Sequence, residues 1–332
     1  MIPEAKQPAV ARALQAAFGV NEYEDIRLLT GGLSTALAYK IIVRRNPYLL
    51  KIMRTEVISD STHEFACMQT AAQAGIAPRV WYADVEARVL ITDFVESKPF
   101  PDDLVLLIVP TLRTLHSLPY FPKVVNYFDA IDGSIRRFQA ANILPESETG
   151  ELFRRYADVQ KVYPRHDPNL VASHNDLKPQ NICFDGKRIW LVDWESAFLN
   201  DPYVDLAIVA NFFVKDEAQE EGFLRAYFGE SAGEYRRARF YLVRQAVSMF
   251  YATLLLLEAS RSGLSINAEQ TVPDFRDFHQ DLISGKVDMA NAGAKWQYGK
   301  IHLRDALQNM RTPRFEQAVA RVEGGSFLER KP

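Results

Sequence analysis

The chain has 332 residues, of which 48% are hydrophobic and 24% are charged. This balance is typical of a soluble globular protein and argues against disorder, and the length allows one large domain or two lobes. Because the net charge is only −3, no general positive field is available, and we expect no nucleic-acid partner.

Neither a membrane anchor nor a cysteine framework is evident. The apolar run from Met249 to Leu257 is far shorter than the roughly 20 residues that span a bilayer, so we expect no membrane partner. The N-terminus has no positively charged start followed by an apolar core, so no secretory signal is predicted. Cys67 and Cys183 are the only cysteines, too few for disulfide staples or a cysteine-based zinc site. These features predict a cytoplasmic protein.

Periodicity and turn residues divide the chain into a β-rich and an α-rich part. Helices are predicted at 8–18 and 61–74, and strands at 25–30, 36–43, 47–53, 79–83 and 88–95. Beyond that point helices are predicted at 104–118, 127–142, 151–162, 235–258 and over most of the chain after Pro202. The stretch 235–258 is apolar on several faces, which is typical of a buried central helix. We therefore expect a two-lobed α+β protein with lobes 1–96 and 97–332 and a cleft.

The most informative segment runs from Ser173 to Asp205. Its Asp185-Gly186 pair lies between two apolar runs and predicts a β-hairpin with a two-residue turn. If Phe184 pairs with Lys187, paired residue numbers sum to 371 and Asp193 falls opposite Lys178. Four polar side chains are then expected to converge at the open end of the hairpin: Asp176, Lys178, Asn181 and Asp193.

This combination of side chains suits phosphoryl transfer. The transferred group is anionic, and hard oxygen ligands such as those of Asn181 and Asp193 suit a Mg²⁺ ion that bridges its oxygens. Asp176 can orient an attacking hydroxyl and accept its proton. Lys178 can neutralise charge that develops in the transition state.

The same segment resembles a known family. The string from His174 to Asn181, HNDLKPQN, is similar to the catalytic loop of kinase-fold enzymes, and Asp193-Trp194-Glu195 stands where protein kinases carry Asp-Phe-Gly. With Asn200-Asp201-Pro202 and Asp205-Leu206-Ala207, the pattern resembles the choline/ethanolamine kinase and aminoglycoside phosphotransferase superfamily, which has a protein-kinase-like fold. The resemblance extends over roughly residues 25 to 210 and is specific between 173 and 207.

The resemblance implies an ATP site in the first lobe. Thr30 to Ala36 is similar to the family's nucleotide-binding loop, in which glycine lets backbone N–H groups approach phosphate. Lys51 resembles the strand lysine that contacts the α- and β-phosphates, Glu64 its ion-pair partner, and 91–96 the hinge whose backbone reads adenine. The implied nucleotide contacts are Gly31, Gly32, Ser34, Thr35, Lys51, Glu64, Asp93 and Val95.

Several residues also allow a purely structural interpretation. His174 is expected to brace the catalytic loop, and Asp205 to accept hydrogen bonds from its backbone. Lys51 by itself is equally typical of a solvated edge strand, and Glu64 of a helix N-terminus. Three arginines are expected to form one solvated helix face: Arg236, Arg237 and Arg239.

The acceptor is expected to be a small-molecule alcohol. Asp-Trp-Glu followed by Asn-Asp-Pro is more similar to choline and ethanolamine kinases than to aminoglycoside kinases, and aromatic faces with a carboxylate would bind an ammonium group. Candidate substrate residues are Glu195, Tyr251, Trp296 and Tyr298, although a place in the helical core is favoured for the last two. Ser196 and Leu255 stand where choline kinases tend to carry aromatic residues. An aminoglycoside kinase and a non-catalytic kinase-fold binding module remain alternatives, whereas the absence of Asp-Phe-Gly and Ala-Pro-Glu strings disfavours a protein kinase.

Overall fold

The computed structural model describes residues 2–29, 36–53, 61–167, 169–262 and 271–325. The chain forms two units, one of residues 1–124 with 171–199 and the other of residues 125–170 with 200–332. The segment that carries the catalytic-loop motif therefore groups with the N-terminal strands. The division expected after residue 96, which follows the change from β-rich to helical sequence, stays a prediction.

A five-stranded antiparallel sheet forms the centre of the first unit. Its strands are β1 (Asp25–Leu28), β2 (Leu37–Val43), β3 (Asn46–Ile52), β4 (Val80–Asp84) and β5 (Val89–Asp93). They lie in the order β1-β2-β3-β5-β4, and every neighbouring pair is antiparallel. All five lie within two residues of the predicted ranges, so the strand predictions are confirmed.

Four helices accompany this sheet: α1 (Gln7–Phe18), α2 (Ser61–Gln73), α3 (Leu104–Leu107) and α4 (Val109–His116). Helix α1 buries its predicted apolar stripe of Ala9, Val10, Ala13 and Leu14 against a core that includes Ile41, Leu50 and Ile91. The prediction of a single helix over 104–118 is wrong in one respect, because the chain forms two helices there. Pro110 lies in the first turn of α4, where its missing N–H leaves no helical hydrogen bond unmade.

Short strands carry the catalytic-loop segment: β6 (Val171–Ser173), β7 (Ile182–Phe184), β8 (Ile189–Leu191) and β9 (Phe198–Asn200). Strands β7 and β8 form the predicted hairpin, but Phe184 pairs with Ile189. Paired residue numbers therefore sum to 373 instead of 371, and the prediction of a two-residue turn closed by Phe184 and Lys187 is wrong. The carboxylate of Asp185 accepts the backbone N–H groups of Lys187 and Arg188 at 2.8 and 2.9 Å, and this interaction holds a four-residue loop. Because the register differs from the predicted one by two residues, every side chain stays on its predicted face of the hairpin.

The second unit is helical. Its helices are α5 (Tyr127–Ala140), α6 (Glu146–Val162), α7 (Pro202–Phe213), α8 (Glu217–Phe228), α9 (Glu234–Ser260), α10 (Phe275–Ile283), α11 (Ala292–Met310) and α12 (Pro313–Glu323). Helix α9 is the central one, since α5, α7, α11 and α12 all pack against it. The predicted buried helix at 235–258 is therefore confirmed.

Helix α9 is the one helix of the described residues that is long and apolar enough to cross a membrane by length and composition. In this unit 72% of its apolar window is buried. The central helix of a folded helical unit meets the same criterion, because it is apolar on several faces.

Candidate functional site

The catalytic-loop residues gather around one carboxylate. Between β6 and β7 the chain passes through a 3₁₀ turn at Pro179–Asn181, which brings Asn181 back toward Asp176. One oxygen of Asp176 accepts Lys178 Nζ at 2.5 Å and Asn181 Nδ2 at 2.8 Å. Asn181 Nδ2 also donates to the backbone oxygen of Asp176 at 2.8 Å. Three of the four residues expected at the open end of the hairpin are therefore in direct contact.

The fourth residue, Asp193, lies against the predicted strand lysine. Lys51 on β3 donates to Glu64 on α2 at 2.9 Å and to Asp193 at 2.7 Å. The Lys51 side chain is only 11% exposed, so it is not the solvated edge-strand lysine of the structural alternative. β3 also lies between β2 and β5 in the sheet, which excludes an edge position.

Charge balance explains why this buried group of residues is stable. Burial by itself lowers the pKa of Lys51, but the carboxylates of Asp193 and Glu64 together raise that pKa above its ordinary value. Burial likewise raises the pKa of Asp193, yet the ammonium of Lys51, followed by Lys178, lowers it overall. Each charged form is stabilised by its neighbours, so Lys51 and Asp193 are both ionised at neutral pH.

Glu195 has a different environment. Burial, followed by the nearby carboxylate of Asp193, raises its pKa above the ordinary value. The side-chain oxygens of Asn181 and Asp193 are hard donors of the kind that Mg²⁺ prefers. Within the described ranges, no group of three or more His, Cys, Asp or Glu side chains forms a metal site. A metal here would therefore depend on the Asn181 amide and on phosphate oxygens as additional ligands.

The segment after β8 has an unusual backbone. Asp193 has φ = 66°, in the left-handed region that aspartate tolerates better than most residues, and a 3₁₀ turn follows at Trp194–Ser196. Trp194 is fully buried, and its ring lies 4.8 Å from that of His174. His174 Nε2 contacts the Val192 carbonyl at 3.0 Å. These contacts support the loop-bracing role expected of His174, which stays a prediction.

The expected nucleotide contacts have different outcomes. Gly31, Gly32, Ser34 and Thr35 lie outside the described residues. The Asp93 carboxylate accepts Trp81 Nε1 at 2.7 Å, its backbone N–H donates to the Arg79 carbonyl at 2.9 Å, and its carbonyl accepts Thr92 Oγ1 at 3.1 Å. The backbone of Asp93, which was expected to read adenine, is therefore already hydrogen-bonded within this unit.

Val95, the other hinge residue of the prediction, follows β5 and is half-buried.

The second unit contains the predicted substrate-wall residues and Asp205. Tyr298 is 6% exposed and Trp296 is 5% exposed, which supports the core interpretation of both. The Tyr298 ring stacks on Phe278 at 4.9 Å. Tyr251 is half-buried and stacks on His302 at 5.3 Å. Asp205 is completely buried near the start of α7, and its expected role toward the catalytic loop stays a prediction.

An aromatic cluster in the second unit was not anticipated from the sequence. It surrounds Tyr251 and Tyr298 with rings from α7, α10 and α11: Phe212, Phe275, His279 and His302. Burial lowers the pKa of His279 to about 4, and burial together with His279 lowers the pKa of His302 to about 3. Both imidazoles are therefore uncharged at neutral pH. Their wide spacing along the sequence, across four helices, left no local signal.

The solvated face predicted for Arg236, Arg237 and Arg239 is wrong for Arg239, which is 4% exposed. Its guanidinium donates to Asp201 at 2.6 Å and to Asp167 at 2.7 Å. The signal was present in the sequence, because Arg239 shares a helical stripe with Leu242, Val243 and Ala246, all of which are buried. An arginine within such a stripe indicates a buried, paired charge.

Comparison with known proteins places these features in a family. The profile of a family described as the phosphotransferase enzyme family matches residues 25–241. Protein LicA of Haemophilus influenzae is 22% identical over 220 residues, which are 61% of this chain and 62% of LicA. The chain thus spans about three fifths of the length of this curated relative.

Solved structures support the fold. A choline/ethanolamine kinase family protein from Mesorhizobium loti matches with a TM-score of 0.72 and 22% identity, covering 96% of this chain and all of that one. Choline kinase LicA from Streptococcus pneumoniae matches with a TM-score of 0.63 and 17% identity, covering 91% of this chain and all of that one. Aminoglycoside phosphotransferases match at 13% identity with TM-scores of 0.59 and 0.54. The predicted protein-kinase-like fold is confirmed, and the chain belongs to the phosphotransferase enzyme family.

Proposed function

We propose that this protein is an ATP- and Mg²⁺-dependent kinase that transfers the γ-phosphoryl group to the hydroxyl of a small amino alcohol of the choline or ethanolamine type. Asp176 is the base that orients the hydroxyl and accepts its proton. Lys178 neutralises charge that develops on the transferred group. Lys51, held by Glu64, binds the nucleotide phosphates.

One observation carries the proposal: Asp176 has both Lys178 and Asn181 as direct partners. In a solvated surface loop without a function, we would not expect an ammonium and an amide to donate to the same carboxylate oxygen. In a phosphotransferase this arrangement holds the base in one orientation. The ammonium of Lys178, only 16% exposed, lies beside the base and can follow the charge as it moves onto the phosphoryl oxygens.

Asn181 and Asp193 would hold the Mg²⁺ ion, which supplies electrophilic stabilisation of the phosphate oxygens when bound. Lys51 neutralises Asp193 at 2.7 Å and would contribute positive charge to the phosphate oxygens of a nucleotide. Glu64 is the second partner of Lys51 and holds the ammonium in position.

The choice of acceptor rests on the Asp193-Trp194-Glu195 and Asn200-Asp201-Pro202 strings, which resemble choline and ethanolamine kinases more than aminoglycoside kinases. This resemblance supports a choline- or ethanolamine-type acceptor.

An aminoglycoside acceptor receives less support. It would need free carboxylates, and three acidic residues between 274 and 288 interact locally. Asp274 caps α10, Asp281 pairs with Lys286 at 2.8 Å, and Asp288 accepts the N–H of Ala290 at 2.8 Å.

An assay that couples ADP release to NADH oxidation tests the proposal directly. The purified protein is supplied with Mg-ATP and, in separate wells, choline, ethanolamine, several sugars and several aminoglycosides. We expect ADP release to depend on choline or ethanolamine. Release only with an aminoglycoside would replace the proposed acceptor, and nucleotide binding without release in any well would favour a non-catalytic binding module.

Asp176→Asn tests the role of the base, with Asp158→Asn on the exposed surface of α6 as the matched control. Removal of a general base costs typically 10²- to 10⁴-fold, so the Asp176→Asn rate should fall by at least roughly 100-fold while the control keeps its rate. Substrate-dependent ADP release that survives in Asp176→Asn would refute the assignment of the base.

A further inference from the structure

Helix α2 contributes more to the site than Glu64. His63, the residue before Glu64, is 7% exposed. Its Nε2 forms a hydrogen bond with the carbonyl of Ala197. A carbonyl oxygen only accepts hydrogen bonds, so the proton lies on Nε2 and His63 is the donor. Adjacent residues of one helical turn therefore bind two separate elements: Glu64 binds the lysine of β3, and His63 binds the chain that follows Asp193.

The accepting carbonyl lies in a segment with two attachments. Asn175, the residue before the proposed base, donates from Nδ2 to the carbonyl of Ser196 at 3.0 Å. His63, the residue before the lysine's partner, donates to the next carbonyl along the chain. We name residues Trp194 to Ala197 the connector segment. Two consecutive carbonyls of this segment thus tie the catalytic loop and α2 to the same short stretch of backbone.

The connector segment also begins at a point where the backbone needs support. Asp193 adopts a left-handed conformation, with φ = 66°, which is costly for a residue with a Cβ atom and persists only when its surroundings hold it. Lys51 holds the Asp193 side chain, while the backbone after it is held through Ser196 and Ala197. If the hydrogen bond from His63 to Ala197 is lost, the segment keeps its attachment to Asn175 but loses this attachment to α2.

We propose that His63 is a positioning residue, which fixes the connector segment against α2 and thereby sets the geometry of the Lys51–Asp193 ion pair. The kinetic part of this inference rests on the proposed kinase function. Its structural part does not, because the hydrogen bond involves only residues of this chain. Neither His63 nor Ala197 contacts the reacting atoms, so the effect on the chemistry is indirect.

Two substitutions separate the hydrogen bond from packing. His63→Leu keeps an apolar side chain of similar reach but removes the donor, whereas His63→Gln places an amide N–H close to the position of Nε2. Cys67→Ala is the control for packing, because Cys67 lies one turn further along the same face, with its Sγ 4.0 Å from the same carbonyl and 3.6 Å from His63 Nε2. The control trims a neighbouring contact without removing the histidine donor.

The first measurement is hydrogen–deuterium exchange of the ligand-free protein, read by mass spectrometry on peptides that cover 193–199. Two amides here have backbone partners, Ala197 with Trp194 at 3.1 Å and Leu199 with Lys123 at 2.7 Å. We expect faster exchange of these peptides in His63→Leu, near wild-type exchange in His63→Gln and Cys67→Ala, and unchanged exchange in the peptides of β2 and β3. Unchanged exchange at 193–199 in His63→Leu would overturn the proposal.

The second measurement is steady-state kinetics with the alcohol that the ADP-release assay identifies. Displacement of a catalytic group by about 1 Å can cost 10²-fold in rate, so we expect kcat of His63→Leu to fall roughly 10- to 100-fold while KM for the alcohol stays nearly constant. His63→Gln should recover most of that loss. Equal losses in His63→Gln and His63→Leu would show that the imidazole acts through its shape alone and would overturn the proposal.

The two measurements also separate this inference from the proposed function. If the wild-type protein turns over no alcohol, the kinase proposal fails, and the exchange measurement still decides whether His63 holds the connector segment. If His63→Leu yields no folded protein, His63→Asn takes its place. Its amide reaches only the position of Nδ1, so it should give the same faster exchange at 193–199, and wild-type exchange in His63→Asn would overturn the proposal.

Discussion

Replacement of Arg239 by methionine tests the buried charge network of the second unit. Arg239 donates to Tyr163 Oη at 3.1 Å, to Asp167 at 2.7 Å and to Asp201 at 2.6 Å. Burial by itself lowers the pKa of Arg239, but Asp201, followed by the tyrosines around it, raises that pKa overall. The guanidinium therefore stays charged, and Asp201, only 8% exposed, depends on it for compensation.

The expected loss of stability is large because two carboxylates, Asp167 and Asp201, would be left without their ion-pair partner. Methionine fills the volume of the arginine stem, so the change removes mainly the guanidinium. Breaking a buried ion pair on one side costs about 3–5 kcal/mol, and a domain of ordinary stability has only about 5–15 kcal/mol in total. We therefore expect Arg239→Met to lower the free energy of unfolding by about 4 kcal/mol.

Urea unfolding followed by circular dichroism measures this loss, with Arg237→Met as the matched control. Arg237 lies two residues away on the same helix and pairs with Glu221 at 3.1 Å, with both side chains more than 40% exposed. An exposed pair of this kind contributes at most about 1 kcal/mol. If Arg239→Met loses no more stability than Arg237→Met, the argument from burial is refuted.

A double variant provides an internal check on the same reasoning. Asp201→Asn removes the carboxylate charge but keeps the oxygen that accepts the Tyr203 N–H and caps α7. With that charge absent, the loss of Arg239 leaves one carboxylate, Asp167, rather than two without the guanidinium. The double variant should lose less stability than the sum of the single losses.

Two further predictions concern the helical unit. A Cβ atom at Gly299 would lie 2.7 Å from Leu256 Cγ and 3.2 Å from the Ala252 carbonyl, so Gly299→Ala should destabilise the packing of α11 on α9 by about 1–3 kcal/mol, and an unchanged Tm would contradict this. The lowered pKa values of His279 and His302, about 4 and about 3, lie below the ~6.5 of the unfolded chain. The contribution of these two uncharged histidines to stability is therefore fully present above that pH. Below it the free energy of unfolding falls, because the unfolded chain takes up protons, by about 2 kcal/mol per histidine between pH 6.5 and 5. His279→Leu should remove part of this acid sensitivity in urea titrations at the two pH values, and an equal loss in variant and wild type would contradict the burial argument.

The sequence alone predicted the strands of the sheet, the central helix and the loop from His174 to Asn181. These depend on neighbouring residues: alternation sets a strand face, and the catalytic loop has its base, lysine and amide within six consecutive positions. The hairpin turn shows the limit of local reasoning. Asp-Gly indicated a two-residue turn, but the Asp185 side chain binds two following N–H groups and opens the turn to four residues.

Contacts between distant residues were decided by the tertiary structure. The Lys51–Asp193 pair joins residues 142 positions apart, and the His63–Ala197 hydrogen bond joins residues 134 positions apart. Family resemblance suggested the Lys51–Glu64 pair, whereas neither the resemblance nor the local pattern indicated these two contacts. Arg239 was expected in solvent because charge alone favours the surface, and only the packing of α9 placed it beside Asp201. Periodicity and motif spacing thus determine the local elements, whereas the partner of each buried charge depends on how those elements pack.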